Sequence, residues 1–268
     1  MLKNIFYILF CYIIIPATAN CKTENKWYFV NSVGISYQKL QNFNMSPLIY
    51  KGGTIFINNQ FERRNEKNYI NFNFNLWFGY VTPKSEDTNF TTNNMVTKIM
   101  AEYQYLKILK KKILTCDFYY GFTITPLFNL RYNKKYSNNA LDSDFSFSLN
   151  PAFSIQKSFF LKQHLSIIKY TPAISVIAYN IVPSFASYKP EIFITKSDLK
   201  IIDYFKAGKI VTLNKFQYIK SELAFEYFLK NGNAIGLRYI WDLSNTITSN
   251  KIVMSSHTFI FTTYFNLK

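Results

Sequence analysis

The sequence predicts an all-β protein, a transmembrane antiparallel up-and-down β-barrel of about ten strands, within a range of eight to twelve. Three observations favour this fold. Strand-length segments alternate between apolar and polar residues, an export signal precedes them, and their connections alternate between short and long. A barrel in a bilayer needs an apolar exterior and tolerates a polar interior, so alternation with period two is the pattern that it requires.

The clearest alternation lies between Tyr69 and Val81, which reads YINFNFNLWFGYV. Its even-numbered positions carry large apolar side chains: Ile70, Phe72, Phe74, Leu76, Phe78 and Tyr80. Its odd-numbered positions include Asn71, Asn73, Asn75 and Gly79. Successive side chains of a strand point to opposite faces. The segment therefore predicts a strand with one apolar face and one amide-rich face.

The same criteria, together with turn residues, locate the other strands. They predict ten strands near residues 27–41, 49–62, 69–82, 95–109, 113–131, 144–158, 164–180, 212–229, 233–244 and 254–267. The uncharged segment Tyr170–Tyr188 is long enough to raise the question of a membrane helix. Pro172 and Pro183 interrupt it, so we predict a strand that runs into a loop. In that loop, Ser197–Lys206 has near-helical spacing of apolar residues and predicts a short helix.

The connections between these strands fall into two classes. Short turns are expected at 63–68, 110–112, 159–163 and 230–232, and long polar loops at 83–94, 132–143 and 181–211. The first and ninth connections are expected to be intermediate. Short turns on one side and long loops on the other are typical of transmembrane barrels, with the short turns periplasmic. Ten strands also return both termini to that side.

The N-terminus has the features of a secretory signal peptide. Lys3 is the positive residue, Ile5–Ile15 is the apolar region, and Ala17-Thr18-Ala19 fits a cleavage site. Cleavage after Ala19 would leave residues 20–268 as a single barrel domain. An uncleaved anchor is the alternative, but the apolar run is short for a spanning helix. Cys21 raises the alternative of a lipid anchor, which Asn20 before it disfavours.

Composition restricts the partners that we expect. The chain is 19% aromatic and carries a formal charge of +16. Its basic residues fall mostly at strand ends rather than in one stripe, which favours contact with anionic lipid headgroups over nucleic acid. No metal-ligand cluster, phosphate loop or dinucleotide fingerprint occurs, so we expect no metal and no cofactor. Cys116 is on the apolar parity of its strand and is expected to be inert.

The last fourteen residues, SSHTFIFTTYFNLK, alternate up to the C-terminus. They resemble the final strand of Gram-negative outer-membrane β-barrel proteins, although those proteins usually end on an aromatic residue and this chain ends Leu267-Lys268. The resemblance implies an outer-membrane location, contact with outer-membrane lipid, and recognition by the barrel-insertion machinery. It indicates no functional subfamily and no surface ligand.

Two histidines are the candidate catalytic bases. His164 and Ser166 share one strand face, with Asn180 further along, and this is similar to the His/Ser pair of outer-membrane phospholipase A. That family's site needs an Asn on the neighbouring strand and lies toward the outer leaflet, whereas His164 is next to a periplasmic turn. We therefore predict that the protein is not an enzyme. His257 is expected to be a rim residue that faces lipid headgroups.

Parity directs a set of charged residues toward the lumen. These are Lys98, Glu102, Asp117, Arg131, Lys220, Glu222, Glu226, Arg238 and Asp242. Buried charges must pair or meet water, and Glu222 or Glu226 could pair with Arg238. Two interpretations remain: a lumen filled by salt bridges, or a narrow polar pore. Small barrels are mostly filled by side chains, so we favour a structural or surface-interaction scaffold, with a small-solute channel as the alternative and a lipid hydrolase as the third.

Overall fold

The computed structural model describes residues 25–43, 46–83, 93–109, 115–133, 140–182, 205–247 and 251–267. The strands are β1 (Lys26–Asn42), β2 (Ser46–Arg64), β3 (Asn68–Pro83), β4 (Asn94–Ile108), β5 (Asp117–Tyr132), β6 (Leu141–Leu161), β7 (His164–Ile174), β8 (Ile177–Ile181), β9 (Lys209–Thr212), β10 (Phe216–Phe228), β11 (Ala234–Ile247) and β12 (Lys251–Leu267). Over these ranges no helix is long and apolar enough to cross a membrane.

The strands form one closed antiparallel barrel. Neighbours in sequence pair from β1 to β7, β7 pairs with β10, and β10, β11 and β12 follow in order. The ring closes because β12 pairs with β1 from Trp27↔Leu267 to Asn42↔Ile252. The prediction of an antiparallel barrel of about ten strands is confirmed. Closure leaves the strands of the ring without a free edge, as a bilayer requires, whereas β9 at the loop end pairs only with β8 among the described residues.

The seventh and eighth positions of the barrel wall each consist of two strand segments. β7 and β8 both pair with β6, while β9 pairs with β8 and β10 pairs with β7. The predicted strand 164–180 is therefore interrupted, at Ser175 and Val176. Thr171 and Ala173 are buried before the interruption, whereas Ala178 and Asn180 are buried after it, so the inward parity changes from odd to even. An extra residue in a strand produces such a reversal.

The barrel has two different ends. The turn end carries both described chain ends and the connections 65–67, 109–116, 162–163 and 229–233; the loop end carries the connections 43–45, 84–93, 133–140, 182–208 and 248–250. The prediction of intermediate first and ninth connections is wrong, since each has three residues. The fourth connection is longer than predicted, with eight residues. β1, β2, β11 and β12 extend further toward the loop end than their alternation indicated.

Several predictions concern residues outside the described ranges. The signal peptide 1–19, Cys21 and most of Ser197–Lys206 are among them.

Large apolar side chains cover the outside of the barrel. Examples are Val33, Ile35, Ile55, Phe72, Phe74, Phe78, Phe153, Leu237, Phe259 and Phe261, each 44–71% exposed. On β1 this surface extends from Trp27 to Tyr37. Ten residues span about 33 Å along a strand, and a tilt of about 40° reduces this to about 25 Å, the height of a bilayer-facing band.

Candidate functional site: the ion-paired barrel interior

The inward positions of the strands bring most of the predicted lumen charges together. Lys98, Glu102, Arg131, Lys220, Glu222, Glu226, Arg238 and Asp242 are all no more than 8% exposed. They come from β4, β5, β10 and β11, and each alternates along its strand with side chains on the outer face. Asp117 differs, because it is half-buried at the turn end of β5.

Four of these side chains form a continuous row of ion pairs across the barrel. Lys220 Nζ lies 2.8 Å from Glu102 Oε1 and 3.2 Å from Glu222 Oε2. Arg238 donates from Nε to Glu222 Oε1 at 2.8 Å. The row thus joins β4, β10 and β11. Of the two pairings expected from sequence, Arg238 makes the one with Glu222.

The row continues to the turn end through residues of β2. Arg238 Nη1 donates to Gln60 Oε1 at 3.4 Å, and Gln60 Nε2 donates to Glu62 Oε2 at 2.6 Å. Glu62 also accepts from Arg64, the last residue of β2.

Arg64 completes this connection at the turn end. Its guanidinium donates two hydrogen bonds to the carboxylate of Glu226, at 2.6 and 3.0 Å. Its Cζ also lies 5.2–5.6 Å from the ring centroids of Tyr28, Phe228 and Tyr264. Bidentate and cation–π contacts are the interactions that a planar guanidinium makes best. Arg64 is therefore held in place from several sides of the barrel.

A second ion pair lies near the middle of the barrel. Lys98 Nζ is 2.6 Å from Asp242 Oδ1 and 4.3 Å from the centroid of the Trp77 ring. The indole Nε1 of Trp77 donates to Thr258 Oγ1 at 3.3 Å. These contacts join β3, β4, β11 and β12 across the interior.

A third group lies toward the loop end. Arg131 Nη1 donates to Asp142 Oδ2 at 2.7 Å, and its Nη2 donates to Asp144. Asn42 also donates to Asp142. Neighbouring strands β5 and β6 are thereby tied to β1 on the other side of the barrel.

The interior charges nearly cancel, in contrast to the chain as a whole. Among the described residues, six inward-facing cations (Arg64, Lys98, Arg131, Lys169, Lys220 and Arg238) face seven carboxylates (Glu62, Glu102, Asp142, Asp144, Glu222, Glu226 and Asp242). Lys157 is also buried, but it lies on the outer parity of β6 near the turn end. The whole chain carries +16. The positive excess therefore belongs to residues outside the interior, which include the exposed rim lysines.

Apolar side chains fill the cross-section at the level of the second ion pair. One cluster consists of Phe56, Trp77, Met100, Leu127, Ala178, Val211, Phe216, Tyr218, Ile240 and Ile260, and each member is at most 5% exposed. The members come from β2, β3, β4, β5, β8, β9, β10, β11 and β12. Side chains from nearly the whole wall therefore meet in one layer, where they are almost completely shielded from solvent.

The structure does not assemble the candidate hydrolase residues. His164 Nδ1 donates to the carbonyl oxygen of Phe228 at 2.9 Å, and its ring packs against Tyr227. Ser166 is fully buried, and its Oγ has no hydrogen-bond partner among the described residues. Asn180 lies on β8, beyond the parity reversal, on the inner face of the barrel. No mutual contact of the three is present.

Other candidate residues have simpler surroundings. His257 faces outward near the loop end, where its Nδ1 lies 2.6 Å from the hydroxyl of Tyr239. Cys116 is buried beside the start of β5, and desolvation raises the pKa of its thiol. In the described part of the chain, no three His, Cys, Asp or Glu side chains form a group that could hold a metal ion.

Sequence reasoning missed five interior charges: Glu62, Arg64, Lys169, Asp142 and Asp144. Arg64 was assigned to a turn, and Asp142 fell in a predicted loop. The signal was available, because these residues continue the inward parity. Asn58, Gln60, Glu62 and Arg64 are successive even positions of β2, and Asp142, Asp144, Ser146 and Ser148 are successive even positions of β6.

No protein-family model and no curated protein matches this chain. The chain is similar in structure to a deletion mutant of the monoaromatic hydrocarbon channel TodX, at 7% identity and a TM-score of 0.35, over 91% of each chain. It is also similar to an outer-membrane channel from Pseudomonas putida F1 (7% identity, TM-score 0.34, 94% and 100% of the two chains). A third similar structure is Ail, the attachment invasion locus protein of Yersinia pestis (6%, 0.23, 89% and 99%). Likenesses this distant carry no argument about function. The resemblance to outer-membrane barrels is confirmed at the level of the fold, a closed antiparallel β-barrel.

Proposed function

We propose that the protein is a bacterial outer-membrane barrel with a sealed interior, which serves as a scaffold for the segments at its loop end. The signal peptide would direct export and be cleaved after Ala19, and the barrel-insertion machinery would then insert the chain into the outer membrane. The apolar outer surface supports the membrane location. A water-exposed barrel would bear a large cost for leaving so many large side chains in contact with solvent.

The apolar layer around Trp77 is the single observation that carries the sealed interior. A solute that crossed the barrel would have to displace Trp77, Phe56 and Tyr218, which are at most 1% exposed. It would then meet the row from Glu102 to Arg238, where separating the partners leaves buried charges unpaired. Breaking one such pair costs about 3–5 kcal/mol. Opening the interior would therefore require both the displacement of packed apolar side chains and the separation of buried ion pairs.

The second candidate is a small-solute channel. The polar connection between Glu102 and Arg64 favours it, because rearranged ion pairs could line a path from the turn end to the middle of the barrel. Such a path would still end at the apolar layer. A channel therefore requires that the side chains of this layer move aside.

Conductance across a planar bilayer distinguishes the two candidates. We expect no steady current from the wild-type protein, and measurable current from a variant with Trp77→Ala and Tyr218→Ala, which removes the two largest residues of the layer. A variant with Phe78→Ala, on the outer face of the same strand, is the matched control and should remain closed. A stable, solute-selective current from the wild-type protein would replace the scaffold with the channel.

We also propose that the protein does not hydrolyse lipid. His164 Nδ1 donates its hydrogen bond to the backbone carbonyl of Phe228, and Asn180 lies on the inner face of the barrel wall, opposite to the face that carries His164. Lipid release by the wild-type protein that disappears in His164→Ala would overturn this part of the proposal.

A further inference from the structure

A groove lies on the outer face of the barrel near the loop end. It has a volume of about 670 Å³ and crosses β12, β1, β2 and β3. Its lining is mainly apolar and aromatic, with Ile35, Tyr37, Ile55, Phe78, Tyr80 and Phe259 as its largest members. This volume falls in the range of sites that bind small organic ligands.

Glycine creates the groove. Gly53 faces outward between Tyr37 and the neighbouring strand β3, and a Cβ added to Gly53 would meet no atom within 4 Å. Every other residue type would place atoms in this space. At Gly79 the backbones approach so closely that an added Cβ would lie 2.4 Å from the carbonyl oxygen of Gly53. The floor of the groove is therefore backbone, and its walls are side chains.

Two lysines stand at the end of the groove nearest the loop end. Lys39 and Lys51 are register partners on β1 and β2. On the outer face, Lys39 follows the groove residue Tyr37 by two positions, and Lys51 precedes the groove residue Gly53 by two. Like charges directly opposite each other on a sheet are destabilising. The described carboxylates nearest the loop end, Asp142, Asp144 and Asp242, are buried inside the barrel. Among the described residues, neither lysine has an acidic partner.

We infer that the groove and the lysine pair together bind one phosphate-bearing acyl lipid. The phosphate would lie between Lys39 and Lys51 and neutralise both, and an acyl chain would fill the space over Gly53. The inference rests on the proposed membrane location, since the lipid is recruited from the surrounding bilayer. Charge complementarity selects the occupant: an apolar groove alone would accept any chain, whereas two ammonium groups with no acidic partner in the described part of the chain select an anionic headgroup.

Native mass spectrometry of the detergent-solubilised barrel tests the inference, with lipid A as the anionic probe and phosphatidylcholine as the zwitterionic one. The wild-type protein should retain lipid A in preference to phosphatidylcholine. Replacing both lysines (K39Q with K51Q) should lower the apparent affinity for lipid A roughly thirtyfold, because each lysine near an anionic surface contributes about 1 kcal/mol. The matched control is K209Q with K215Q, which removes two exposed lysines at the same end of the barrel.

Substitutions of Gly53 test the contribution of the groove separately from that of the lysines. Gly53→Leu should weaken the binding of both lipids, since it occupies the space of the acyl chain, and Gly53→Ala should weaken it less. Equal retention of the two lipids by the wild-type protein, or unchanged binding in K39Q with K51Q, would overturn the inference. Displacement of lipid A by inorganic phosphate alone would also overturn it, because the site would then bind only the anion.

Heat-modifiable gel mobility separates this inference from the proposed function. All variants should migrate faster unheated than boiled, as folded barrels do, whether or not they bind lipid. Loss of lipid binding with the mobility shift retained rejects only the lipid site. Absence of the shift in the wild-type protein rejects the membrane barrel itself.

Discussion

At the scale of single residues, the interior contains charged side chains that contact one another instead of water. Lys98 and Asp242 are both 1% exposed, and their side chains meet at 2.6 Å. Desolvation of two ions is costly, so such a pair contributes little net stability compared with an apolar pair of similar volume. Removing one partner is different, because the remaining ion stays buried without an opposite charge, although Asp242 keeps a hydrogen bond from the Ser256 hydroxyl.

A double-mutant cycle measures this asymmetry. Lys98→Met should lower the free energy of unfolding by about 3–5 kcal/mol, since Asp242 is left unpaired. Adding Asp242→Leu should recover a large part of that loss. Urea unfolding in lipid vesicles is the measurement, and Lys209→Met, at an exposed position, is the control and should change stability by less than about 0.5 kcal/mol. A double variant as unstable as the sum of its single variants would show that the pair is not coupled.

Residue types alone indicated the inward charges but not their partners. Parity placed Lys220, Glu222 and Arg238 on the inner face. Which of them meet depends on the relative shift of the strands and on the barrel diameter. The bond from Arg64 to Glu226 crosses from β2 to β10, which are far apart in sequence. A sequence pattern holds no information about such contacts across a lumen.

At the scale of elements, the strands follow from alternation almost completely. The segment 69–82 was predicted as one strand and is β3, Asn68–Pro83. Its Asn side chains are buried in the interior, and Phe72, Phe74 and Phe78 are exposed on the outer face. A strong period-two pattern succeeds here because inner and outer environments demand opposite chemistry.

The interruption between β7 and β8 could not be predicted in the same way. Residues 170–182 are uncharged, so both faces of this segment look alike, and no charge marks where the parity changes. In the structure, Ser175 lies at the interruption between β7 and β8, and its Oγ accepts a hydrogen bond from the backbone N–H of Tyr218 at 2.8 Å. That bond supports the wall where the regular ladder stops.

A charge placed on the outer face of β3 tests the bilayer assignment of that element. Phe74→Arg, at mid-strand, should lower the free energy of unfolding in vesicles by about 2–4 kcal/mol, because the guanidinium would lie at the bilayer midplane. Tyr80→Arg, near the loop end of the same strand, should cost only about 0–1 kcal/mol. Equal and small costs at both positions would indicate that water, and not lipid, surrounds the strand.

At the scale of the whole molecule, the barrel combines an apolar exterior, an interior closed by an apolar layer and ion pairs, and a surplus of positive charge outside that interior. Composition predicted the apolar exterior and the positive sign of the surplus charge. Closure of the interior follows from packing, since Trp77, Met100 and Tyr218 come from three strands and meet only after the ring has formed. The packing that supports a filled lumen over a pore could therefore be described only from the structure.

The three tryptophans provide the most direct measurement of this arrangement. Trp77 is 1% exposed in the interior layer, whereas Trp241 is on the outer face of β11. Fluorescence would be recorded in vesicles for a Trp77-only variant (Trp27→Phe with Trp241→Phe) and a Trp241-only variant (Trp27→Phe with Trp77→Phe). We expect brominated acyl chains to quench Trp241 strongly, and neither brominated lipid nor aqueous acrylamide to quench Trp77. Strong quenching of Trp77 by acrylamide, or no quenching of Trp241 by brominated lipid, would contradict a sealed barrel surrounded by lipid.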